Sequence, residues 1–224
     1  MGHTEGQAAE KRVTSLARAV VYRFLALCFS YPDMELLKLF DGDSLGECLD
    51  AWHVLGLDAS GEMREVIAWL ESTGPEVALS ELQVEYTRLF VNAYPRIPAP
   101  PYSSVYLDED RLVWGPSTAQ AGRFYEEAGL CPSADFADIP DHIAAEMEFV
   151  SYLILEQHKT DQEGVTTSPD MATIENQFLA DHFLKWAPLF LDRVVGNTGA
   201  IFYGGVARLA LEFTKFEARR MINA

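Results

Sequence analysis

Positively charged residues are scarce in this chain of 224 residues. It has 17 lysines and arginines against 34 aspartates and glutamates, which gives a formal net charge of -17. Such an excess of carboxylates repels the phosphate backbone of nucleic acids and the anionic surface of membranes. We therefore expect no nucleic-acid partner, whereas a basic segment of another protein would be attracted.

Long hydrophobic runs are also missing. No apolar stretch approaches the ~18 residues that a membrane-spanning helix needs, so stable membrane insertion is not expected. The N-terminal segment MGHTEGQAAEKR is polar and lacks the apolar region of a secretory signal. Together these absences predict a soluble protein that stays in the cytoplasm.

Residue patterns that mark metal, nucleotide and nucleophile sites are absent as well. The three cysteines, Cys28, Cys48 and Cys131, are too far apart to suggest a metal-binding pair, and reduced, buried thiols are expected. The glycine-rich phosphate-binding motifs and the GxSxG nucleophile motif do not occur. Repeated Glu-x-x-His pairs, which a di-iron bundle needs, do not occur either. We therefore expect no metal, no cofactor and no catalytic residues.

Alternation typical of strands is almost absent, and helical spacing dominates instead. The first amphipathic stripe contains Leu16, Ala19, Val20, Phe24, Leu27 and Tyr31. Pro32 should end this helix, and Asp33 should cap the next one. The chain is therefore expected to be all-α, with a single helical-bundle domain over residues 1–224.

Capping patterns place two further helices around the middle of the chain. Ser80 with Gln83 has the spacing of a capping box and predicts a helix over residues 81–90. Ser117 with Gln120 has the same spacing and predicts a helix that ends at Gly129, where a C-terminal glycine cap belongs.

The C-terminal part is also expected to be helical. The helix after Pro140 carries one apolar stripe of Ile143, Met147, Val150 and Ile154, which Phe149 and Leu153 widen. Residues 163–170 are polar and interrupted by glycine and proline, which indicates a loop. Two more helices are expected over residues 171–195 and 200–220, with Pro188 kinking or restarting the first.

One long segment is predicted to be a loop rather than a helix. Residues 91–117 contain five prolines, together with Tyr94, Tyr102, Tyr106 and Trp114. This segment is too aromatic for a disordered linker, and long ordered loops are usually functional. It divides the chain into an N-terminal helical part, about residues 1–90, and a C-terminal helical part, residues 118–224.

The dipeptide Asp141-His142 permits two readings. A carboxylate beside a histidine could be half of an acid–base pair, but adjacent helical residues point about 100° apart. Its position after Pro140 favours a helix start with Asp141 as the N-cap. His142 and Glu146 share a helical face, yet no tight set of ligands completes a metal site. His158 and His182 are expected on the surface or in interhelical hydrogen bonds.

Acidic residues are concentrated around this dipeptide. Residues 126–181 contain 13 aspartates and glutamates and a single basic residue, Lys159. Most of these carboxylates should face solvent. Beside the aromatic loop, however, they would form an acidic rim around an apolar groove, which suits a peptide with basic and hydrophobic parts.

Three segments together resemble a known family. They are EYTRLF (85–90), PPYSSVYLDEDRLVWGPST (100–118) and DIPDHIAAEMEF (138–149). Their order and spacing resemble the TorD/DmsD/NarJ family of chaperones for molybdenum-containing oxidoreductases, and the likeness covers most of residues 15–217. The resemblance implies an all-helical, non-enzymatic chaperone. It also implies a partner, the catalytic subunit of such an oxidoreductase, bound through its twin-arginine leader until cofactor insertion is complete.

The resemblance also implies which residues bind the leader peptide. They are Leu89, Phe90, Tyr102, Ser104, Tyr106, Pro140, Asp141 and His142. From the residues alone, core packing is favoured for Leu89 and Phe90. Two alternatives to a leader-binding chaperone stay open: a helical adaptor that recognises no leader, and an enzyme with His142 and a carboxylate as acid–base pair. The identity of the oxidoreductase and the oligomeric state also stay open.

Overall fold

Helices make up the structure, a computed structural model that describes residues 2–40, 42–130, 139–164 and 170–223. These ranges contain no strand, and the isolated antiparallel bridge found in them joins Tyr102 to His142. The all-α prediction is confirmed. The helices are α1 (Gly2–Phe29), α2 (Met34–Lys38), α3 (Gly42–Val54), α4 (Ser60–Thr73), α5 (Pro75–Tyr86), α6 (Ser104–Leu107), α7 (Pro116–Glu127), α8 (Ile143–Glu163), α9 (Met171–Phe178), α10 (Leu184–Asn197) and α11 (Ile201–Asn223), with π-helical turns at Thr87–Val91 and Leu179–Phe183.

Helices α1 and α8 form the centre of the core. They pack along each other, while α11 packs against α10 and α4. Leu25 of α1 and Leu153 of α8 are fully buried, and Ser151 donates a hydrogen bond to the carbonyl oxygen of Ala19 at 3.0 Å. Buried apolar residues from both the N-terminal and the C-terminal part belong to one hydrophobic cluster.

The apolar stripe of α8 is buried as its spacing predicts. Its members and the two residues predicted to widen it all lie in the core: Ile143, Met147, Phe149, Val150, Leu153 and Ile154. A helix buried on more than one side is apolar over more of its circumference than a surface helix. None of the helices among the described residues is long and apolar enough to cross a membrane.

Two of the predicted caps are correct. Oδ1 of Asp33 accepts hydrogen bonds from the backbone N–H groups of Glu35 at 2.9 Å and Leu36 at 3.1 Å, so it caps α2. Gly129 follows α7 with a φ of 78°, a left-handed conformation that glycine adopts at little cost.

Both predicted capping boxes are wrong. Helix α5 begins at Pro75 and not after Ser80, because a proline fits the first turn, where its missing N–H costs nothing. Helix α7 begins at Pro116, so Ser117 lies inside it. The N–H of Gly115 donates to Oγ1 of Thr118 at 3.1 Å and provides the contact that Ser117 was expected to make.

The long loop is ordered, as predicted, but it contains a short helix. Helix α6 interrupts residues 92–115, and the loop follows a π-helical turn that contains Leu89 and Phe90. Pro188 lies in the first turns of α10, which starts after the second π-helical turn. Cys28 and Cys48 are buried free thiols, as expected, whereas Cys131 and residues 165–169 lie outside the described residues.

A buried ion cluster joins the two ends of the described chain. Arg18 of α1 donates to Oε1 and Oε2 of Glu217 on α11, at 2.5 and 2.9 Å. It also donates to Glu175 of α9 at 2.5 Å, and Arg220 contacts both carboxylates. Because a charge in a low-dielectric core is costly unless it is paired, these residues depend on one another.

Replacement of Glu217 by alanine should strongly destabilise the fold. The change leaves Arg18 buried with one partner fewer, and breaking a buried pair costs about 3–5 kcal/mol. Urea unfolding followed by circular dichroism measures the loss. Glu212→Ala is the matched control, because Glu212 lies on the same helix in an exposed pair with Lys215 and should change the stability by less than ~1 kcal/mol. Equal effects of the two changes would contradict the prediction.

Candidate functional site

Two distant segments meet to form the candidate site. The N–H of Ile143 donates to the carbonyl oxygen of Pro101 at 2.9 Å, and the N–H of Ser103 donates to that of Asp141 at 3.0 Å. These bonds form the antiparallel bridge between Tyr102 and His142. The fold therefore brings together five of the eight residues singled out from the sequence, whereas the Tyr106 side chain faces α10. The five are Tyr102, Ser104, Pro140, Asp141 and His142.

Asp141 is fully buried beneath this bridge. Its Oδ2 accepts hydrogen bonds from the N–H of Ser104 at 2.9 Å and from Oγ of Ser103 at 3.3 Å. Its Oδ1 is buried without a hydrogen-bond partner among the described residues, and so is Oγ of Ser104. Asp141 thus fastens the loop to the start of α8 with one carboxylate oxygen and leaves the other unused.

The prediction that Asp141 caps α8 is wrong. The N-cap is His142, whose backbone is extended, with φ -72° and ψ 137°, and whose Nδ1 accepts the N–H of Ala144 at 3.2 Å. The helix begins one residue later than the sequence suggested, so the carboxylate points to the loop instead. The sequence had suggested that Asp141 lies at the exposed edge of a groove. In the structure the residue is fully buried.

His142 is also buried, with its ring against that of Tyr102. The two ring centroids are 5.3 Å apart in an edge-to-face arrangement. The hydrogen bonds described above connect Asp141 to the loop and Nδ1 of His142 to the backbone of its own helix. Asp141 thus joins the loop to α8, and Nδ1 of His142 caps that helix.

Leu89 and Phe90 lie in the core and are buried. The ring of Phe90 packs against Tyr86 and Tyr203, with centroid distances of 4.9 and 5.4 Å. The sequence favoured core packing for Leu89 and Phe90, and the structure shows both residues packed in the core.

A second buried polar cluster lies one turn into α8. Oε1 of Glu146 is 2.7 Å from Nε2 of His182, and Oε2 accepts the indole N–H of Trp186 at 2.8 Å. Nδ1 of His182 is 3.2 Å from Oε1 of Gln120. The cluster connects α7, α8, α10 and the second π-helical turn. The interhelical hydrogen bonding expected of His182 is confirmed, and the two carboxylate oxygens of Glu146 contact His182 and Trp186.

Burial and pairing shift both ionisable groups of this cluster. Burial raises the pKa of the Glu146 carboxyl group. Burial alone would lower the pKa of His182, but the adjacent Glu146 carboxylate reverses this effect and raises it. The proton held between the two groups is therefore bound more tightly in the folded protein than in the unfolded chain.

Tyr106 connects the loop to α10. Its ring lies 5.6 Å from that of Trp186, centroid to centroid, and the guanidinium carbon of Arg193 lies 4.6 Å from its centroid. The half-buried Tyr106 therefore lies between the Glu146 cluster and a surface arginine.

Comparison with known proteins places the chain in a family. The model of the nitrate reductase delta subunit family matches residues 57–192, which is more than half of the chain. The chain belongs to this family. The match includes all eight of the residues predicted to bind a peptide.

Several curated relatives of this chain are named as chaperones. The chaperone protein TorD of Aliivibrio salmonicida is 28% identical over 64% of this chain and 66% of its own length. The Tat proofreading chaperone DmsD of Salmonella typhi is 28% identical over 61% of each chain. The chain thus spans less than two thirds of the length of these two relatives. Their names confirm the resemblance to the TorD/DmsD/NarJ family.

Two longer matches extend over most of this chain. The perchlorate reductase assembly chaperone protein of Dechloromonas aromatica is 26% identical over 93% of this chain and 91% of its own length. A redox enzyme maturation protein from Archaeoglobus fulgidus, solved as a crystal structure, has a TM-score of 0.56 and 25% identity, covering 88% of this chain and 93% of its own.

Several residues of the candidate site and of the Glu146 cluster were not predicted from the sequence. Ser103 accompanies Ser104 in binding Asp141, and Asp108 accepts hydrogen bonds from both the N–H and the Oγ of Ser117. Trp186 completes the Glu146 cluster. No local pattern connects these pairs in the sequence, because the contacts of Asp141 and Glu146 depend on how distant segments pack and that of Asp108 depends on how the loop turns.

Replacement of Asp141 by alanine should release the loop from α8. The change removes the acceptor of the Ser104 N–H, and a buried donor left unpaired costs about 1–3 kcal/mol. Hydrogen exchange measured by mass spectrometry should show faster exchange in a peptide that spans α6. The control is Asp170→Ala, which removes an exposed helix-capping carboxylate far along the chain. Unchanged protection of α6 would contradict the structural role of Asp141.

The stability of the protein should fall as the pH rises above neutrality. The folded pKa of His182 lies above its ordinary value of 6.5, so its stabilising contribution is complete below pH 6.5 and is lost as the pH rises through the folded pKa. Urea unfolding at a series of pH values from acidic to alkaline measures the slope. His182→Gln should flatten this slope, and a slope that is equally steep in the variant would refute the assignment to His182.

Proposed function

We propose that this chain is a cytoplasmic chaperone for the catalytic subunit of a molybdenum-containing oxidoreductase. It binds the twin-arginine leader and the apo form of that subunit, assists cofactor insertion and delays export until maturation is complete. The observation that carries the proposal is the buried Asp141 carboxylate, whose Oδ1 has no partner among the described residues.

An unpaired carboxylate oxygen in a protein interior is costly, and a cation that reaches it is bound strongly. A guanidinium group suits this oxygen best, because arginine forms directed, charge-assisted hydrogen bonds to carboxylates. Two adjacent arginines are what a twin-arginine leader provides. Since Asp141 is buried, the arginine reaches it only when residues 101–104 move, which requires the two backbone bonds of the bridge and the bonds from Ser103 and Ser104 to Oδ2 of Asp141 to open or rearrange.

The overall charge supports a basic partner. The net charge of -17 attracts an arginine-containing peptide over a distance and repels acidic competitors. Exposed ion pairs contribute only about 0–1 kcal/mol each, so the surface carboxylates steer the peptide rather than hold it. The specific contribution then comes from the buried carboxylate and from apolar contacts.

The names of the relatives also support the proposal. One is called an assembly chaperone for perchlorate reductase, and another a proofreading chaperone of the Tat system. An assembly role for the present chain follows by similarity. In this proposal the five residues that meet at the bridge, together with Tyr106 beside α10, serve as the peptide site, while Leu89 and Phe90 support it from the core.

The chaperone should recover an apo-oxidoreductase subunit that still carries its leader. Affinity purification from the native cell, followed by mass spectrometry of the captured proteins, tests this expectation. Repeated capture of folded proteins without a leader would favour the adaptor alternative. A turnover that disappears in His142→Ala would favour the enzyme.

Asp141→Asn should weaken binding of the synthetic leader of the captured subunit by about tenfold, because the amide keeps the shape but loses the charge that pairs with arginine. Titration calorimetry measures the affinities. Glu127→Gln, which neutralises an exposed carboxylate on α7, should have little effect. The two variants should no longer differ when both leader arginines are replaced by glutamine. If they still do, Asp141 does not bind the arginines.

A further inference from the structure

The loop that carries Tyr102 and Tyr106 continues into an exposed apolar tip, residues 111–114. Leu112 is 66% exposed and Trp114 is 70% exposed, with Val113 also exposed between them. Three consecutive large hydrophobic residues on the surface are unusual in a protein that is not bound to a partner. The tip is therefore a candidate contact surface.

The base of the tip is held closed by Asp108. Its carboxylate accepts the hydroxyl of Ser117 at 2.5 Å and the N–H of the same residue at 3.2 Å, which joins the two ends of residues 108–117. Gly115 passes so close to this carboxylate that a Cβ atom there would collide with it. The chain is thus held in a fixed turn that keeps the apolar side chains in solvent.

The backbone of the tip is also unusual. Arg111 and Trp114 have φ values of 51° and 69°, in the left-handed region that residues other than glycine rarely adopt. At Trp114 this conformation accompanies a side chain that is 70% exposed.

The tip is continuous with the candidate leader site. Asp141 binds the N–H of Ser104, and the carbonyl oxygen of Ser104 accepts the N–H of Asp108 at 3.2 Å. The residue that closes the base of the tip is thus two hydrogen bonds away from the buried carboxylate.

The apolar part of a leader needs exposed apolar surface. The candidate site around the bridge offers little of it. Leu89 and Phe90 are buried, and Tyr102 and Tyr106 are half-buried against other side chains. The tip provides that surface a few residues farther along the same loop. The exposed Glu109 and Asp110 stand next to the tip and outnumber the exposed Arg111, so the local charge is negative and suits a peptide that is basic beside its apolar run.

We propose that residues 111–114 are the docking surface for the apolar run of a twin-arginine leader. The inference rests on the proposed function and extends it: the arginines meet Asp141, and the apolar run that follows them packs on Leu112, Val113 and Trp114. Recognition then uses the buried carboxylate of Asp141 and the apolar tip of the loop that packs against it, while Asp108 closes the base of the tip.

Titration calorimetry with two synthetic peptides tests the proposal. One is the leader of the captured subunit, and the other has the same arginines but serines in place of the apolar run. The variant carries Leu112→Ser and Trp114→Asn, since asparagine tolerates a positive φ and preserves the turn. It should bind the full leader about tenfold more weakly than the unchanged protein and the serine peptide equally well. Val84→Ser is the matched control, because Val84 is 68% exposed on α5.

The outcomes separate this inference from the proposed function. If the unchanged protein binds the leader and the double variant binds it equally well, the docking surface is wrong while the proposed function stands. If the unchanged protein binds no leader, both fail. Normal leader binding with an altered oligomeric state, measured by light scattering, would assign the tip to a second copy of this chain. Normal leader binding with weaker capture of the full subunit would assign it to the mature part of that subunit.

Discussion

The contact between the Asp141 carboxylate and the backbone of Ser104 is the interaction on which the candidate site depends. It joins the long loop to the start of the central helix α8, across 37 residues of sequence. A buried carboxylate can be kept in a core only where donors surround it, and the loop provides two of them. This side chain, together with the packing of Tyr106 against α10, positions α6 and, through Asp108, the apolar tip.

Carboxylates have different roles in the interior and on the surface of this acidic protein. Glu175 and Glu217 neutralise the buried Arg18, and Glu146 pairs with His182, so each interior carboxylate of these clusters has a partner. The exposed carboxylates contribute to the long-range negative field. Asp141 differs from both groups, since it is buried and yet uses only one of its two oxygens.

The sequence predicts those features that depend on local patterns. The stripe of α8, the cap at Asp33 and the glycine after α7 were correct, because periodicity and capping are properties of neighbouring residues. The shift of the α8 cap from Asp141 to His142 was not predictable, since the loop binds Asp141 from a distance. The start of α5 was missed because Pro75 and Ser80 both give start signals, and only packing decides between them. The family pattern identified the segments of the site but not their burial.

The ion pair between Arg18 and Glu217 spans 199 residues. During synthesis α1 leaves the ribosome with its charged group unpaired and its apolar stripe uncovered, because α8 and α11 have not yet been made. The first helix can reach its final place only when almost the whole chain is available. A chain built in this way completes its fold late, and its nascent form is exposed to aggregation until α11 closes the cluster.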